Sequence, residues 1–304
     1  MRVLLIVNAS ASSVTERARV VIQKAVSADH QVETAITSRR GHATRLAQGA
    51  AADRVDAVLV LGGDGTLNEA ANGLAGTATA LGVLPGGSTN VYARTIGMPN
   101  DPIEATGALL AAMARGSRRR VGLGTVNGRY FLFHVGMGFD AAVVEQVEKR
   151  SALKRYAGHP LFIWAAVVTW FRHYDRRRPR FAVRFQDGSV VDDGYFALCL
   201  ETNPYTFLGN RPFDVAPGTG FDTGLTMVTF RSLGLITLLG AAGSALGSGR
   251  RLRRDRHLDR RFDVEALTVT GHGPFPYQVD GDFLGETDAL ELRHEPDCLE
   301  LFIP

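Results

Sequence analysis

An apolar run that breaks into glycines and restarts as a helix constrains this chain more than any other stretch. It reads Asp56-Ala-Val-Leu-Val-Leu-Gly-Gly-Asp-Gly-Thr-Leu-Asn-Glu69. Asp56 to Leu61, rich in Val and Leu, suits a strand buried on both faces of a parallel sheet. Gly62-Gly63-Asp64-Gly65 ends that pattern and Thr66 opens a helix, with Glu69 three residues on in the spacing of a capping box. A glycine-rich turn between strand and helix lets backbone N–H groups approach an anion, and the helix dipole adds to the attraction. Gly62, Gly63, Gly65, Thr66 and Asn68 are therefore candidate phosphate contacts.

The turn lacks the Lys of G-x-x-x-x-G-K-[ST] and the spacing of G-x-G-x-x-G. Instead it holds a carboxylate, Asp64. Two like charges about 4 Å apart repel by roughly 4 kcal/mol at an effective dielectric near 20. A divalent cation between carboxylate and phosphate removes that repulsion, which makes Asp64 a candidate Mg²⁺ ligand beside a nucleotide. The alternative is that Asp64 only stabilises the turn, as Asp-Gly pairs often do.

Around this stretch, strands and helices alternate through the first half of the chain. Val3–Val7, Gln31–Thr37 and Ala80–Leu84 read as further strands, with helices to about Val26, over Arg45–Arg54, and after the Pro85 loop. Such alternation predicts a parallel sheet with helices on both faces, and ligands bind beyond the carboxyl ends of its strands. Asn8–Ser12 (with Ser10 and Ser12), Thr37, Gly62–Asn68 and Gly86–Asn90 (with Gly87 and Ser88) all lie at such ends. From about Val121 the texture shifts to short strands. Asn127-Gly128 and Asp187-Gly188 are hairpin signals. Arg129–Val135, Tyr195–Leu200, Leu225–Phe230, Ala266–Thr270, Phe275–Val279, Ala289–His294 and Cys298–Ile303 read as strands. Helix-rich segments at Ala141–Arg178 and Ser232–Arg261 interrupt them. The predicted organisation is a nucleotide-binding α/β domain over 1–120 and a β-rich, mainly antiparallel sandwich over 121–304, its last strands returning to the first domain.

Gly62-Gly-Asp-Gly-Thr66 resembles the signature shared by diacylglycerol kinases, sphingosine kinases, NAD kinases and phosphofructokinases. Extended from Gly62 to Leu74, the match is most similar to the diacylglycerol kinase catalytic domain of the bacterial soluble lipid kinases. The resemblance implies an NAD kinase-like, Rossmann-like first domain, ATP and Mg²⁺ as cofactors, and transfer of the γ-phosphoryl group to a hydroxyl of a neutral lipid such as diacylglycerol. It implies nucleotide contacts from Asn8 in the first loop, where Ala9, Ala11 and Ser12 replace the family's Pro, Ser and Gly. In the Pro85 loop Ser88 takes a Thr position, Asn90 is kept, and Val91 stands where an Asp is usual. Tyr277-Gln-Val-Asp-Gly-Asp282 resembles the family's Val-Asp-Gly-Glu, whose Glu is the general base, so Asp282 and Asp280 are the candidate bases. Near Phe221-Asp-Thr-Gly-Leu225 the family carries a metal-linked Asp; Thr223 takes the nearest position and Asp222 is one residue early.

Composition narrows the remaining classes. Of 34 basic residues only Lys24, Lys149 and Lys154 are lysines, and the net charge is +3, too mild for a nucleic-acid binder. Cys199 and Cys298 sit in apolar runs and read as buried thiols of a reducing compartment. The apolar run after Arg2 ends at Asn8, and the longest apolar stretches, Pro160–Phe171 and Leu233–Leu246, are shorter than a spanning helix of about 20 residues. The expectation is a cytoplasmic protein that contacts the inner membrane face peripherally. Two basic clusters, Lys149–Arg155 before the Trp164-Trp170-Phe171 segment and Arg250–Arg261, mark a docking surface for a lipid substrate. Other readings are a sphingoid- or ceramide-type lipid kinase, an NAD kinase, and a non-catalytic nucleotide- or lipid-binding regulator; the oligomeric state is not encoded legibly.

Overall fold

A computed structural model describes residues 1–150, 161–247 and 255–304. The chain divides into two compact units, Met1–Leu123 with Glu295–Pro304, and Gly124–His294.

The first unit is built on β1 (Arg2–Val7), β2 (Gln31–Ile36), β3 (Ala57–Gly62) and β4 (Ala80–Pro85), in the order β2-β1-β3-β4 and all parallel. Every residue of β3 and β4 is buried, as an apolar strand between two helical layers should be. The helices are α1 (Glu16–Ser27), α2 (His42–Ala52), α3 (Asp64–Leu74), α4 (Val91–Thr95) and α5 (Pro102–Arg115). Their starts are chemically marked. Thr15 accepts from Ala18 N ahead of α1, and Asp101 accepts from Ile103 N and Glu104 N ahead of α5, whose first residue is Pro102. Gly73 lets α3 lie directly on α2, because a Cβ there would come within 2.5 Å of Thr44 O. The strand order reverses direction at β1, so the loops after β1 and β3 flank the switch point where α/β sheets bind ligands.

One local expectation is corrected. The helix after β3 begins at Asp64 with Gly63 as its N-cap, so Thr66 and Glu69 form no capping box. One turn further in, Glu69 reaches the neighbouring helix and accepts from Gly41 N (2.8 Å) and Ala43 N (3.1 Å). It caps α2, whose own N-cap, Gly41, has no side chain to do so.

The second unit is antiparallel. β5 (Arg118–Val126), whose residues up to Leu123 belong to the first unit, forms a hairpin with β6 (Arg129–Phe131) through Asn127 and Gly128, both at positive φ as a type I′ turn requires. β7 (His134–Gly138) leads into α6 (Phe139–Glu148). Helical residues 161–168, here α7, pass into a π-turn at Thr169–His173. Then come β8 (Phe181–Phe185), β9 (Val190–Gly194), β10 (Phe196–Leu200), the small hairpin β11 (Thr206–Leu208) with β12 (Arg211–Phe213), and β13 (Leu225–Phe230). α8 (Leu235–Ala245), β14 (Leu258–Val264), β15 (Ala266–Val279) and β16 (Asp282–Phe302) complete the chain. The order is β14-β13-β10-β7-β15, while the first half of β15 pairs with β8 and β8 with β9. Because β15 serves both sets of strands, Val183, Phe185, Val135, Met137, Cys199 and Phe275 meet in one buried cluster, the core of a sandwich.

Several predicted strands are redrawn. Arg129–Val135 is two strands, broken at Leu132-Phe133, whose N–H groups are taken by a side chain described below. Ala266–Thr270 and Phe275–Val279 are one strand with a register shift between them, and the last two predicted strands merge into β16. Within the segment expected to be helical after Ser232, Leu258–Arg261 belong to β14. The end of β16 lies in the first unit, where Leu301 pairs in parallel with Leu81.

Removing the cap supplied by Glu69 tests the correction. Glu69→Ala should destabilise the protein by about 1–2 kcal/mol, with faster hydrogen exchange concentrated at the first amides of α2; uniform exchange would show that Glu69 does not cap it.

Candidate functional site

In the first unit the loops after β1, β3 and β4 are bound to one another. Asn8 N donates to Leu61 O (2.9 Å), and its amide Nδ2 donates to Thr66 Oγ1 (2.9 Å). Ser10 N returns to Asn8 Oδ1 (3.0 Å), closing the first loop. Ser13 N and Oγ donate to Gly86 O (2.8 Å) and Gly87 O (3.0 Å). Gly86 N donates to Gly62 O (2.7 Å), and the two glycine pairs touch backbone to backbone. A Cβ on Gly87 would lie 2.9 Å from Gly63 Cα, and one on Gly86 would lie 2.6 Å from Val14. Side chains at these positions would wedge the loops apart, so glycine is needed for contact as well as for the turn.

Asp64 is anchored in this contact. Its Oδ2 accepts from Val91 N (3.0 Å) and its Oδ1 from Tyr92 N (3.1 Å), so the carboxylate caps α4. Neither Ser88 nor Thr89 caps α4: its first flanking residue is Asn90, at φ 51°, with no side-chain cap bond. Asn90 is buried and ties the loop to itself, accepting from Gly87 N (2.7 Å) and donating to Gly87 O (2.9 Å) and Asn100 Oδ1 (2.8 Å). Gly63, Asp64, Gly65 and Gly87 are half-buried, whereas Ser10, Ser12 and Ser88 are exposed. Thr66 and Asn68 are buried, and Asn68 accepts from Asn72 Nδ2 at both its carbonyl and side-chain oxygens. Thr37, half-buried, follows β2 and donates its N–H to Val7 O (2.9 Å).

The predicted carboxylates of the second unit have different surroundings. Asp280 and Gly281 form the β15–β16 turn at φ 49° and 84°. Asp280 is buried, and its carboxylate accepts from Leu132 N (2.7 Å), Phe133 N (3.0 Å) and His134 N (3.0 Å). Asp282, half-buried, begins β16. The peptide N–H groups on either side of it are both held by side chains. Gly281 N donates to Gln278 Oε1 (2.7 Å), and Phe283 N donates to Glu148 Oε1 (3.1 Å).

The support behind that turn was not read from the sequence. Gln278 is fully buried, and its Nε2 donates to Asp140 Oδ2 (2.8 Å). Tyr205 Oη donates to Asp140 Oδ1 (2.6 Å), and the Tyr205 ring lies 4.3 Å from that of His134. Burial pushes the Asp140 carboxyl above the usual carboxylate range, against the opposing pull of its bonds to Tyr205 and Gln278. Burial, reinforced by Asp140, also raises the Tyr205 phenol, and burial lowers His134 to about 3. Gly136 leaves the space that the network fills: a Cβ there would overlap Asp140 Oδ2. The legible signal was Gly136-Met-Gly-Phe-Asp140, a Gly-x-Gly at a strand-to-helix junction followed by an acid.

Among the described residues no group of three or more His, Cys, Asp or Glu side chains is placed to hold a metal. Asp222 is exposed, and beside it Thr223 bonds to Gly220, so no ion cage is built from side chains there. Asp64 fits Mg²⁺ as a single ligand by its chemistry, a carboxylate oxygen donor of the kind that ion takes, half-buried at the first turn of α3.

Residues 2–126 match the diacylglycerol kinase catalytic domain. This segment belongs to that family. The chain is 40% identical over 122 residues to a diacylglycerol kinase of Bacillus subtilis (strain 168), covering 39% of each. It is 32% identical over 190 residues to a protein named "Probable lipid kinase YegS-like" in Chromohalobacter salexigens, covering 60% of this chain and 57% of that one. These matches thus span well under two thirds of the relatives' lengths. Over nearly the full chain the fold is that of a diacylglycerol kinase from Bacillus anthracis str. Sterne (TM-score 0.72, 20% identity, 100% of this chain and 97% of that one). An NAD kinase from Archaeoglobus fulgidus, solved in complex with ATP, has the same kind of fold (TM-score 0.55, 10% identity, 99% and 93%).

Two measurements probe this geometry. Asp280→Ala leaves three backbone donors without their acceptor, so it should cost at least about 3 kcal/mol of stability; a change below 1 kcal/mol in urea unfolding would show the anchor is dispensable. The second is pH-dependent. His134 binds its proton more weakly folded than unfolded, so its contribution is full above 6.5 and lost as pH falls toward about 3. Stability relative to His134→Phe should fall by about 1.4 kcal/mol per pH unit across that window; parallel curves would mean that the ring titrates normally.

Proposed function

We propose that this chain is an ATP-dependent lipid kinase that transfers the γ-phosphoryl group to a hydroxyl of a neutral lipid such as diacylglycerol. The observation that carries this reading is the contact between the Gly62-Gly63 and Gly86-Gly87 loops at the switch point of a diacylglycerol kinase catalytic domain. Half-buried backbone at the start of α3 offers N–H groups and a helix dipole to phosphates. Asn8, Ser10, Ser12, Thr37 and Ser88 stand at the carboxyl ends of the same strands and are proposed nucleotide contacts. When bound, Mg²⁺ would be held chiefly by the nucleotide phosphates with Asp64, neutralising charge on the transferred group.

In this reading Asp282 is the general base. It takes the proton of the lipid hydroxyl as the oxygen–phosphorus bond forms and the bond to the ADP oxygen breaks. The N–H groups of its two neighbours in sequence, Gly281 and Phe283, are held by Gln278 and Glu148, which suits a residue that must be positioned before it reacts. Asp280 is the anchor of the turn, its oxygens already serving three N–H groups. The same chemistry with a sphingoid or ceramide acceptor, with NAD, or with no transfer at all are the outcomes to separate.

Labelled ATP with Mg²⁺, offered in parallel to diacylglycerol, sphingosine and ceramide in mixed micelles and to NAD, separates them. Transfer to diacylglycerol is expected, and transfer to NAD alone, or binding without transfer, overturns the reading. Asp282→Ala should lower turnover by about 10²–10⁴ with nucleotide affinity nearly intact, and Asp282→Glu should retain substantial activity. Near wild-type turnover in Asp282→Ala would remove this residue from the mechanism.

A further inference from the structure

Two helices of the second unit are turned inside out. Fifteen large hydrophobic side chains are exposed among the described residues, and nine of them lie on α7 with its π-turn, on α8, or at Leu246 just after it. On the first helix Ile163, Val167 and Phe171 recur every fourth residue, exposed by 61%, 50% and 65%; on α8 Ile236 is 89% and Leu239 64% exposed. Apart from Leu161, the buried faces carry smaller groups, Ala165 and Thr169 on α7 and its π-turn and Thr237, Ala241, Ser244 and Ala245 on α8. No Asp, Glu, Lys or Arg occurs from Leu161 to Phe171 or from Ser232 to Leu246. A helix on a water-facing surface has the opposite pattern, large apolar groups inward and charge outward. Among the described residues no helix is long and apolar enough to cross a bilayer.

The two are joined. Trp170 Nε1 donates to Leu233 O (3.0 Å), and Leu161, Ala165, Ala241 and Ala245 share one core cluster. What borders the apolar face identifies its occupant. The chain's two tryptophans border it, Trp164 exposed and Trp170 half-buried against the core beneath, and each has a guanidinium over its ring: Arg150 4.4 Å from Trp164 and Arg176 3.8 Å from Trp170. Tryptophan and arginine around an uncharged apolar surface is the arrangement of an interfacial helix, with rings at headgroup depth and cations at phosphates. A second copy fits less well, because two-fold pairing sets a patch against itself and would bring these arginines together.

We propose that the α7–α8 face is a monotopic membrane anchor, its aliphatic side chains seated at the acyl boundary of an anionic bilayer and Arg150 and Arg176 at the lipid phosphates. The anchor keeps Arg150 and the Trp164-Trp170-Phe171 segment of the docking surface expected from sequence, adds α8, and makes the attachment apolar where basic charge was expected to dominate. Of that surface, Lys149 is paired with Glu145 (2.6 Å), Arg261 lies beside Asp259 and Asp187, and Lys154, Arg155 and Arg250–Arg254 lie outside the described residues. Apolar insertion supplies the attachment and charge supplies the preference for anionic lipid. It goes beyond the phosphotransfer reading and holds whether or not that reading does.

Flotation with vesicles of phosphatidylglycerol and phosphatidylcholine, without nucleotide or diacylglycerol, tests it independently of catalysis. Intrinsic fluorescence is a direct reporter, because Trp164 is exposed on the proposed face and Trp170 borders it. Wild-type protein should bind, with emission shifted to the blue and quenched by brominated acyl chains. Raising salt to 0.5 M should weaken binding without abolishing it. Ile236→Ser with Leu239→Ser, both exposed and so tolerated by the fold, should reduce partitioning by tenfold or more; circular dichroism checks the fold. No vesicle binding by the wild type, binding lost entirely to salt, or equal binding by the double variant would each overturn the anchor. A dimer that the double variant dissociates, without vesicle binding, would instead make this face a contact between copies.

Discussion

Two carboxylates that look like reaction chemistry are bound to backbone N–H groups, and the geometry of both candidate constellations depends on those bonds. Asp64, at the first turn of α3, accepts the N–H groups of Val91 and Tyr92 and so ties the loop after β3 to the helix that follows β4. With Gly62, Gly63, Gly86 and Gly87 in backbone contact, the two loops become one surface of closely spaced peptide groups. A side chain longer than hydrogen at Gly86 or Gly87 would separate them, and an apolar residue at Asp64 would leave α4 uncapped. An anion binds well to such a surface because the donors are already oriented and little ordering remains to be done.

The second unit repeats the principle. Asp280 gathers three consecutive N–H groups, from Leu132 to His134, and this is what breaks one expected strand into β6 and β7. Asp282, two residues on, begins β16 and is half-buried. Behind it Gln278, Asp140 and Tyr205 form a buried chain in which each polar group finds a partner, and such chains hold a turn more rigidly than single bonds do. The two carboxylates differ in setting: Asp280 is buried and accepts three backbone N–H groups, and Asp282 is half-buried between residues whose N–H groups are held by side chains.

The inverted helices place the proposed chemistry in its setting. A kinase whose acceptor dissolves in a bilayer must reach it there, and a face that is apolar outward is stabilised only when something apolar covers it. Ile236, at 89% exposure, is the clearest single sign. The rings and guanidiniums around it favour a headgroup layer over a second protein.

Much was legible from sequence where the pattern is local. The apolar runs of β1, β3, β4, β10 and β13, and the Asn127-Gly128 and Asp187-Gly188 turns, follow from burial on both faces and from residues that accept positive φ. The glycine loops follow from apolar runs that break into glycines, whereas Asp280 and Asp282 stand out through the resemblance of their turn to Val-Asp-Gly-Glu. Tertiary structure decided what each side chain bonds to, because a partner can be distant in sequence. Glu69 caps α2, 26 or more residues away, since the true start of α3 left it mid-helix. Asp280 holds peptides 146 to 148 residues earlier, and Asp140 reaches Gln278 across 138. The outward face of α8 was hidden for the same reason: an uncharged apolar run reads as core until the packing shows which of its sides the protein leaves uncovered.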